Sequence, residues 1–237
     1  HAARINVRWS LEDPQADGRD NLMGSLHLLE AALAAKVEHF LFASSGGALY
    51  GDQVSRPTPE DAPREPTSPY GIAKLAIEEY LRVLGTLYGL PVVVFRYANV
   101  YGPRQIPEGE AGVVGIFAQA LLEGRAPTIY GSGENRRDYL YIDDCVSANV
   151  LAVEGRATGV FNLGTGVEAD VQEVYAAVAR AVGTDLTPAP GPERPGEVLA
   201  SSLDATRFRE AYGWAPSVPL HDGIRRTVEW FRSGAER

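Results

Sequence analysis

One pair of side chains in this sequence could carry out acid–base chemistry. Lys36 and Lys74 are the two lysines of the chain, and Lys74 follows Tyr70 by four residues. On a helix, residues at this spacing share one face. A nearby ammonium group favours the phenolate and lowers the pKa of a tyrosine, so Tyr70 could act as a base near neutral pH. The pair alone is a weak motif, because an amphipathic helix with a packed tyrosine and an extended lysine gives the same spacing.

Further polar residues stand where predicted strands end. Ser44 and Ser45 follow a mostly apolar run over 37–43, and Asn99 follows a β-branched run over 91–97. In open α/β sheets, ligands bind at the carboxyl ends of the strands. The hydroxyl and amide groups are therefore predicted to lie on the ligand-binding side of the sheet.

The elements that position these residues alternate between strand and helix. Apolar spacing and turn residues predict helices over 20–35, 70–88, 113–124, 143–153, 170–182, 204–212 and 222–232. Strands are predicted over 37–43, 91–97, 126–130, 139–142 and 160–163. Asp143 is expected to cap its helix, and the proline-rich stretch 52–69 is expected to be an exposed loop. The alternation predicts an α/β fold with a parallel sheet and a smaller second lobe.

Composition excludes several classes of protein. The 237 residues are 45% hydrophobic and 22% charged, which suffices for a sizeable core. The net charge of −9 argues against nucleic-acid binding, and no apolar run reaches the ~18 residues of a membrane span. The lone Cys145 rules out an internal disulfide and a cysteine-based zinc site, which favours the cytoplasm. We predict no metal site.

The phosphate-binding glycine motif of dinucleotide-binding folds is absent from this sequence. Gly131 and Gly133 are followed by Arg136 where a third glycine should stand, and the run 164–166 is followed by Ala169. The sequence also opens on His1 rather than on methionine. We therefore expect a fragment whose upstream part is missing.

The order of short motifs along the chain resembles that of a known family. The chain is similar to the extended short-chain dehydrogenase/reductases that act on nucleotide sugars, above all the UDP-glucose (UDP-galactose) 4-epimerases. The matching motifs are His1 to Ala3, Asn21 to Gly24, Ser44-Ser45 with Tyr50-Gly51, Tyr70 with Lys74, Arg96 to Arg104, Arg137 to Tyr139 with Asp143-Asp144, Asn162 to Gly164, and Arg194 to Glu197. The resemblance covers essentially the whole chain.

This resemblance implies an architecture. It is a Rossmann-like doubly wound parallel sheet, without its N-terminal βα units, together with a smaller α/β substrate-binding lobe. The incomplete NAD-binding domain would comprise 1–104 and 138–163, and the nucleotide-sugar lobe 105–137 and 164–237. In the family the glycine-rich NAD loop precedes the His-Ala-Ala position, so about 65 residues, or two βα units, are expected upstream.

The resemblance also implies an activity and a set of site residues. The reaction is NAD-dependent epimerisation at C4 of a UDP-hexose through a 4-keto intermediate. Tyr70 would exchange the proton of the sugar 4-hydroxyl, Lys74 would hold the nicotinamide ribose, and Ser45 would supply a catalytic hydroxyl. The expected cofactor contacts also include Ala2, Ala3, Asn21, Ser44 and Tyr97. The expected substrate contacts are Ser45, Asn99, Arg137, Arg194, Glu197 and Ser201.

Two positions depart from the pattern of many family members. Gly46 stands where a serine or threonine is common, so the catalytic hydroxyl would come from Ser45 or from water. Ser201 stands where epimerases restricted to plain hexoses often carry a bulky tyrosine. We therefore hypothesise that N-acetylated UDP-hexoses are also substrates.

Other activities and an assembly state remain open at this stage. The alternatives are a UDP-glucuronate epimerase or decarboxylase, and a non-catalytic protein that binds nucleotide sugars. The resemblance also implies a homodimer formed through the helix of Tyr70 and its neighbour. The residues that could form its contact stripe, or equally a core stripe, are Ile77, Tyr80, Leu81, Leu84 and Leu87.

Overall fold

The structure is a computed structural model that describes residues 3–52, 55–107, 112–193 and 198–234. Within these ranges the α-helices are α1 Val7–Glu12, α2 Pro14–Asp17, α3 Gly24–Ala34, α4 Gly46–Leu49, α5 Pro69–Tyr88, α6 Val113–Leu122, α7 Ile142–Glu154, α8 Val171–Val182, α9 Thr206–Tyr212 and α10 Leu220–Ser233. The strands are β1 Phe40–Ser45, β2 Val92–Tyr97, β3 Asn99–Tyr101, β4 Thr128–Tyr130, β5 Arg136–Tyr141, β6 Gly159–Leu163, β7 Glu168–Asp170, β8 Ala189–Gly191 and β9 Ala200–Ser201. A π-helical segment, Gly18–Met23, joins α2 to α3.

A parallel sheet in the order β1-β2-β6 carries the front half of the chain. Successive residues of β2 point to opposite faces of this sheet. Val93 and Phe95 pack with α7 and α9, whereas Val94 packs with α3 and α5. Because helices cover both faces, the strand needs apolar residues at nearly every position, which is the run seen in the sequence. The predicted α/β class with a parallel, Rossmann-like sheet is confirmed.

A second sheet lies beside the ends of these strands. In it β5 runs parallel to β3 and β9 and antiparallel to β7, while β4 and β8 form a separate parallel pair. Helices α6, α8 and α10 form a core with tyrosines of β3 and β5. The buried carboxylate of Asp138 accepts the backbone N–H groups of Thr165, Gly166 and Leu203, which ties β5 to two loops. The division of the chain into two domains stays a prediction.

Local signals set the two ends of α5, the helix that carries Tyr70. At its start, Ser68 Oγ accepts the N–H of Gly71 at 3.2 Å and Pro69 occupies the first turn. A Cβ on Gly71 would lie 2.4 Å from the carbonyl oxygen of Ala48, so only glycine allows this close approach. At its end, Gly89 adopts φ 67, the left-handed conformation that suits glycine.

Two expectations about local structure are wrong. Asp143 does not cap α7: the N-cap residue is Tyr141, and Asp143 lies in the first turn, where its charge still favours the helix dipole. The stretch before α5 is not simply exposed, because Thr58 and Glu60 are buried. Thr58 N–H donates to the carbonyl of Ser202 at 2.8 Å, a contact across the chain that composition does not reveal.

The stripe predicted on α5 is split between the core and the surface. Ile77 and Leu81 are 2% and 1% exposed and pack against the sheet. Tyr80 and Leu87 are exposed, and Leu84 is partly buried. The exposed apolar face of α5 consists of Tyr80 and Leu87 from the predicted stripe, together with Ile72 and Val83, which were not part of it.

None of the helices in the described ranges is both long and apolar enough to cross a membrane.

Candidate active site

Tyr70 and Ser45 meet at the carboxyl end of β1. The two side chains are close enough for the Ser45 hydroxyl to act on the Tyr70 phenol. The backbone N–H of Tyr70 donates to Ser10 Oγ at 3.3 Å, so a buried serine of α1 also fixes the first turn of α5. Tyr70 is 8% exposed, and burial raises its pKa to about 12, while the bond from Ser45 lowers it. The predicted pair of hydroxyl groups is thus brought together in a mostly buried place.

Lys74 lies one turn further along α5, with its side chain directed at the end of β1. Its Nζ donates to the carbonyl oxygen of Ala43 at 2.9 Å and lies 4.9 Å from the centre of the Phe42 ring. The distance from Nζ to the centre of the Tyr70 ring is 5.7 Å. Burial lowers the pKa of Lys74 to about 8, which is partly offset by the charges of Asp17 and Glu78. Among the described residues the carbonyl of Ala43 is its one hydrogen-bond acceptor, so two of the three ammonium protons are left for a ligand.

The electrostatic balance at Tyr70 differs from the one expected from the sequence. The Tyr70–Lys74 spacing predicted a lowered tyrosine pKa, but the pKa of Tyr70 is raised. Desolvation is the largest cause, because a phenolate loses the solvation of bulk water in this site. The ammonium group is also directed at a backbone carbonyl rather than at the phenol oxygen.

Packing explains why the position expected to carry a hydroxyl is glycine here. A Cβ on Gly46 would lie 2.4 Å from Cδ1 of Leu203, which is itself buried. A side chain at this position would require the Leu203 side chain to shift. Ser45, one residue earlier, supplies the hydroxyl that contacts Tyr70.

Two predicted substrate contacts lie next to Gly47, and a third lies on the strand beside one of them. A Cβ on this glycine would lie 3.8 Å from Asn99 Oδ1 and 3.9 Å from Ser201 Oγ. Arg137 of β5 is the register partner of Ser201 on β9. Its guanidinium donates to the carbonyl of Arg136 at 2.8 Å, and the side chain is half-buried. An amide and a hydroxyl group therefore border the corner beside Gly47, and a guanidinium group lies on the neighbouring strand; these groups suit an anionic, hydroxyl-rich ligand.

Asn21 is buried and holds the start of the described chain. Its Oδ1 accepts the N–H of Arg4 at 2.8 Å, and its Nδ2 donates to the carbonyl of Arg4 at 2.9 Å. Nδ2 also donates to Asp17 Oδ1 at 2.7 Å. Ala3 lines a cavity of about 460 Å³ next to these residues. The structure thus gives Asn21 a positioning contact with the backbone beside Ala3.

Two other predicted cofactor contacts have their hydroxyl groups engaged within the protein. Ser44 Oγ donates to Glu78 Oε1 at 2.5 Å inside the core. Tyr97 Oη donates to Asn149 Oδ1 of α7 at 2.8 Å. Any contact of Ser44 or Tyr97 with a cofactor stays a prediction.

Sequence reasoning missed Ser10 and Asp17, both almost fully buried beside the Tyr70–Lys74 pair. The four-residue spacing of Asp17 and Asn21 was an available signal. Asp17 ends α2, and Asn21 lies in the π-helical segment, a rare conformation that is frequent at functional sites.

Three predicted residues lie outside the described ranges, namely Ala2, Arg194 and Glu197. Among the side chains that the structure does describe, no group of three or more His, Cys, Asp or Glu residues could hold a metal ion.

Comparison with known proteins identifies the class to which this site belongs. The sequence model of the NAD dependent epimerase/dehydratase family matches residues 1–164. This match covers more than half of the chain, which therefore belongs to that family.

The similar proteins include several UDP-glucose 4-epimerases. That of Mycolicibacterium smegmatis is 47% identical over 236 residues, covering 99% of this chain and 75% of that protein. The Thermotoga maritima enzyme, solved with UDP-glucose, has a TM-score of 0.95 and 46% identity, covering 100% of this chain and 77% of that one. The Thermus thermophilus enzyme, solved with NAD, has a TM-score of 0.93 and 45% identity, with the same coverage.

Proposed function

We propose that this protein catalyses the NAD-dependent interconversion of UDP-glucose and UDP-galactose by epimerisation at C4. The observation that carries the proposal is the placement of Ser45 and Lys74 beside the buried Tyr70, with the Lys74 Nζ 5.7 Å from the centre of the Tyr70 ring. The similar epimerases solved with UDP-glucose and with NAD support it. This activity belongs to galactose metabolism.

The residues around Lys74 fit the ribose of a nicotinamide cofactor. Among the described residues, the Lys74 ammonium group has one hydrogen-bond acceptor, the carbonyl of Ala43, which leaves two of its protons for a ligand. The hydroxyl groups of a ribose could accept from these protons. When bound, NAD⁺ would supply the reversible hydride acceptor for C4 of the sugar.

Tyr70 and Ser45 act on the hydroxyl group at the same carbon. The phenolate of Tyr70 accepts the 4-hydroxyl proton as the C4–H bond breaks, which leaves a 4-keto sugar. The Ser45 hydroxyl, which acts on Tyr70, would donate to the phenolate oxygen and hold it in line. After the keto sugar turns over, Tyr70 returns the proton to the oxygen at C4. Because the sugar regains both the proton and the hydride, the reaction involves no net oxidation or reduction.

The corner beside Gly47 would hold the rest of the substrate. Arg137 and Asn99 suit the diphosphate, because a guanidinium group makes charge-assisted bonds to phosphate oxygens. The resemblance adds Arg194 for the diphosphate and Glu197 for the uridine ribose. Ser201 lies at the sugar side of this corner.

Replacing Ser45 by alanine should lower kcat about 10-fold to 100-fold with little change in KM. The variant loses one hydrogen bond to the developing phenol oxygen but keeps the substrate-binding corner. Steady-state rates with UDP-galactose measure the effect. Ser55→Ala in the loop before α5 is the control, and a normal kcat for Ser45→Ala would contradict the assigned role.

We also propose that the sugar pocket admits a 2-acetamido group, because Ser201 is small. The protein should then interconvert UDP-N-acetylglucosamine and UDP-N-acetylgalactosamine. Ser201→Tyr should abolish this reaction while retaining turnover of UDP-galactose, which chromatography of the nucleotide sugars measures. Absence of turnover of the acetamido sugars by the unaltered protein would refute the idea.

The exposed apolar face of α5 supports a homodimer. Ile72, Tyr80, Val83 and Leu87 lie on one side of the helix, and Leu28 of α3 is also exposed. We propose that α3 and α5 pack against the same helices of a second copy, and light scattering would test this. The free thiol of Cys145 suits the reducing cytoplasm, where we place the protein.

A further inference from the structure

Asp17 is a buried carboxylate whose charge has no cationic partner within ion-pair distance in the described part of the chain. It is 1% exposed, and its Oδ1 accepts a hydrogen bond from the neutral amide of Asn21. Its Oδ2 is buried without a hydrogen-bond donor. Burying a carboxylate in this way is unfavourable, so such a group usually has a compensating charge nearby.

Lys74 is a buried cation that likewise forms no ion pair among the described residues. It is 5% exposed, and the hydrogen bond of its ammonium group goes to a neutral backbone carbonyl. The charged groups that act on it are Asp17 of α2 and Glu78 of α5. Glu78 is already neutralised by Arg96 of β2, whose guanidinium makes three hydrogen bonds to its carboxylate.

We propose that Asp17 is the counter-charge of Lys74, a positioning residue whose carboxylate keeps the ammonium group protonated and directed into the site beside Tyr70. Helix α2 packs against α5, which brings the two groups close enough for their charges to interact. Arg4 and Ser10 complete the arrangement, because Asn21 binds the Arg4 backbone and Ser10 binds the Tyr70 N–H. This inference rests on the proposed function only for its kinetic consequence.

The charge of Asp17 shifts the pKa values of Lys74 and Tyr70 in the same direction. The negative charge of Asp17 raises the pKa of Lys74 and also raises the pKa of Tyr70. Removing that charge lowers both. Because the reaction needs Tyr70 unprotonated and Lys74 protonated, the acid and alkaline limbs of the pH–rate profile both move to lower pH. Damage to the fold would lower the profile without moving both limbs together.

The test compares Asp17→Asn with Asp20→Asn in the full-length protein. Asp20 has the same charge in the same stretch, but its side chain is 44% exposed and paired with Arg4. Asp17→Asn should move both limbs of the kcat profile down by roughly one pH unit, the size expected of a nearby charge in a partly buried site. Asp20→Asn should leave them in place, since solvent screens its charge.

A second readout does not need activity. The near-ultraviolet absorbance of tyrosinate is titrated, and the curve of the Tyr70→Phe variant is subtracted to isolate Tyr70. In the Asp17→Asn background Tyr70 should ionise at lower pH. If this shift occurs in a protein that epimerises no UDP-sugar, the counter-charge assignment stands while the proposed function fails.

Two outcomes would overturn the proposal. One is a lower rate with both limbs unmoved and an unmoved tyrosinate titration; the other is an equal shift in Asp20→Asn. Circular dichroism checks that Asp17→Asn folds. If it does not fold, Asp17→Ser carries the same expectation, and Asp17→Glu should restore the original position of both limbs.

Discussion

Tyr70→Phe is expected to lower kcat for UDP-galactose by about 10³-fold, the scale of a lost general acid–base group. Phenylalanine keeps the ring within the buried face of α5 but cannot take the proton of the 4-hydroxyl group. KM should change little, because the groups around Gly47 that border the substrate are untouched. Release of UDP-glucose from UDP-galactose measures the effect.

The matched control for this prediction is Tyr80→Phe on the same helix. Tyr80 is 45% exposed, so losing its hydroxyl should leave kcat within a factor of two. Retention of most of the activity by Tyr70→Phe would remove the central residue of the proposed mechanism and favour a non-catalytic, nucleotide-sugar-binding role.

Glu78→Ala is expected to have the largest effect on stability, a loss of about 3–5 kcal/mol. The ion pair of Glu78 with Arg96 is buried, with both side chains 2% exposed, and the shortest contact is 2.5 Å. Removing Glu78 leaves the guanidinium buried without its counter-charge and also frees Ser44 Oγ. For a protein of this size the melting temperature should fall by roughly 10 °C.

Glu79→Ala distinguishes this effect from a general loss of negative charge on α5. Glu79 is 41% exposed and pairs with Arg64 and Arg82 at the surface, where each ion pair contributes about 0–1 kcal/mol. Calorimetry of both variants should show a large shift for the first and a small one for the second. Equal shifts would mean that burial of the Glu78–Arg96 pair is not what stabilises this region.

The buried ion pair lies directly beneath the candidate site. Arg96 also donates to Tyr50 Oη at 2.7 Å, and Tyr50 donates to Asn162 at 2.9 Å. This network joins β1, β2, β6 and α5 behind Ser45 and Lys74. It holds the carboxyl ends of the strands in place, and the catalytic side chains project from that rigid support.

The pairings within this network could not be predicted from the sequence. Arg96, Tyr50 and Asn162 all belong to family motifs, but the motifs do not reveal that these side chains bind one another or Glu78. Ser44 and Glu78 are 34 residues apart in the chain, and Tyr50 and Asn162 are 112 apart. No local spacing encodes such pairs, since they form only when strands and helix are stacked. Asp143 is a related case. It is a plausible cap residue by type, but the chain passes from β5 into α7 at Tyr141, which therefore takes the N-cap position.

The sequence by itself determined the alternation of the longer strands and helices, the α5 helix with Tyr70 and Lys74 on one face, and the family, but not the short elements such as α1, α2, β3 and β7. These features depend on residues within a few positions of one another or on motif order, both of which the sequence displays directly. Only the tertiary structure placed Ser45 beside Tyr70 and showed that Leu203 lies against Gly46. It alone placed Asp17 beside the catalytic pair and reversed the expected shift of the Tyr70 pKa. The physical reason is that burial and the distances between charges are set by packing of distant segments, and they outweigh the local effect of a neighbouring ammonium group.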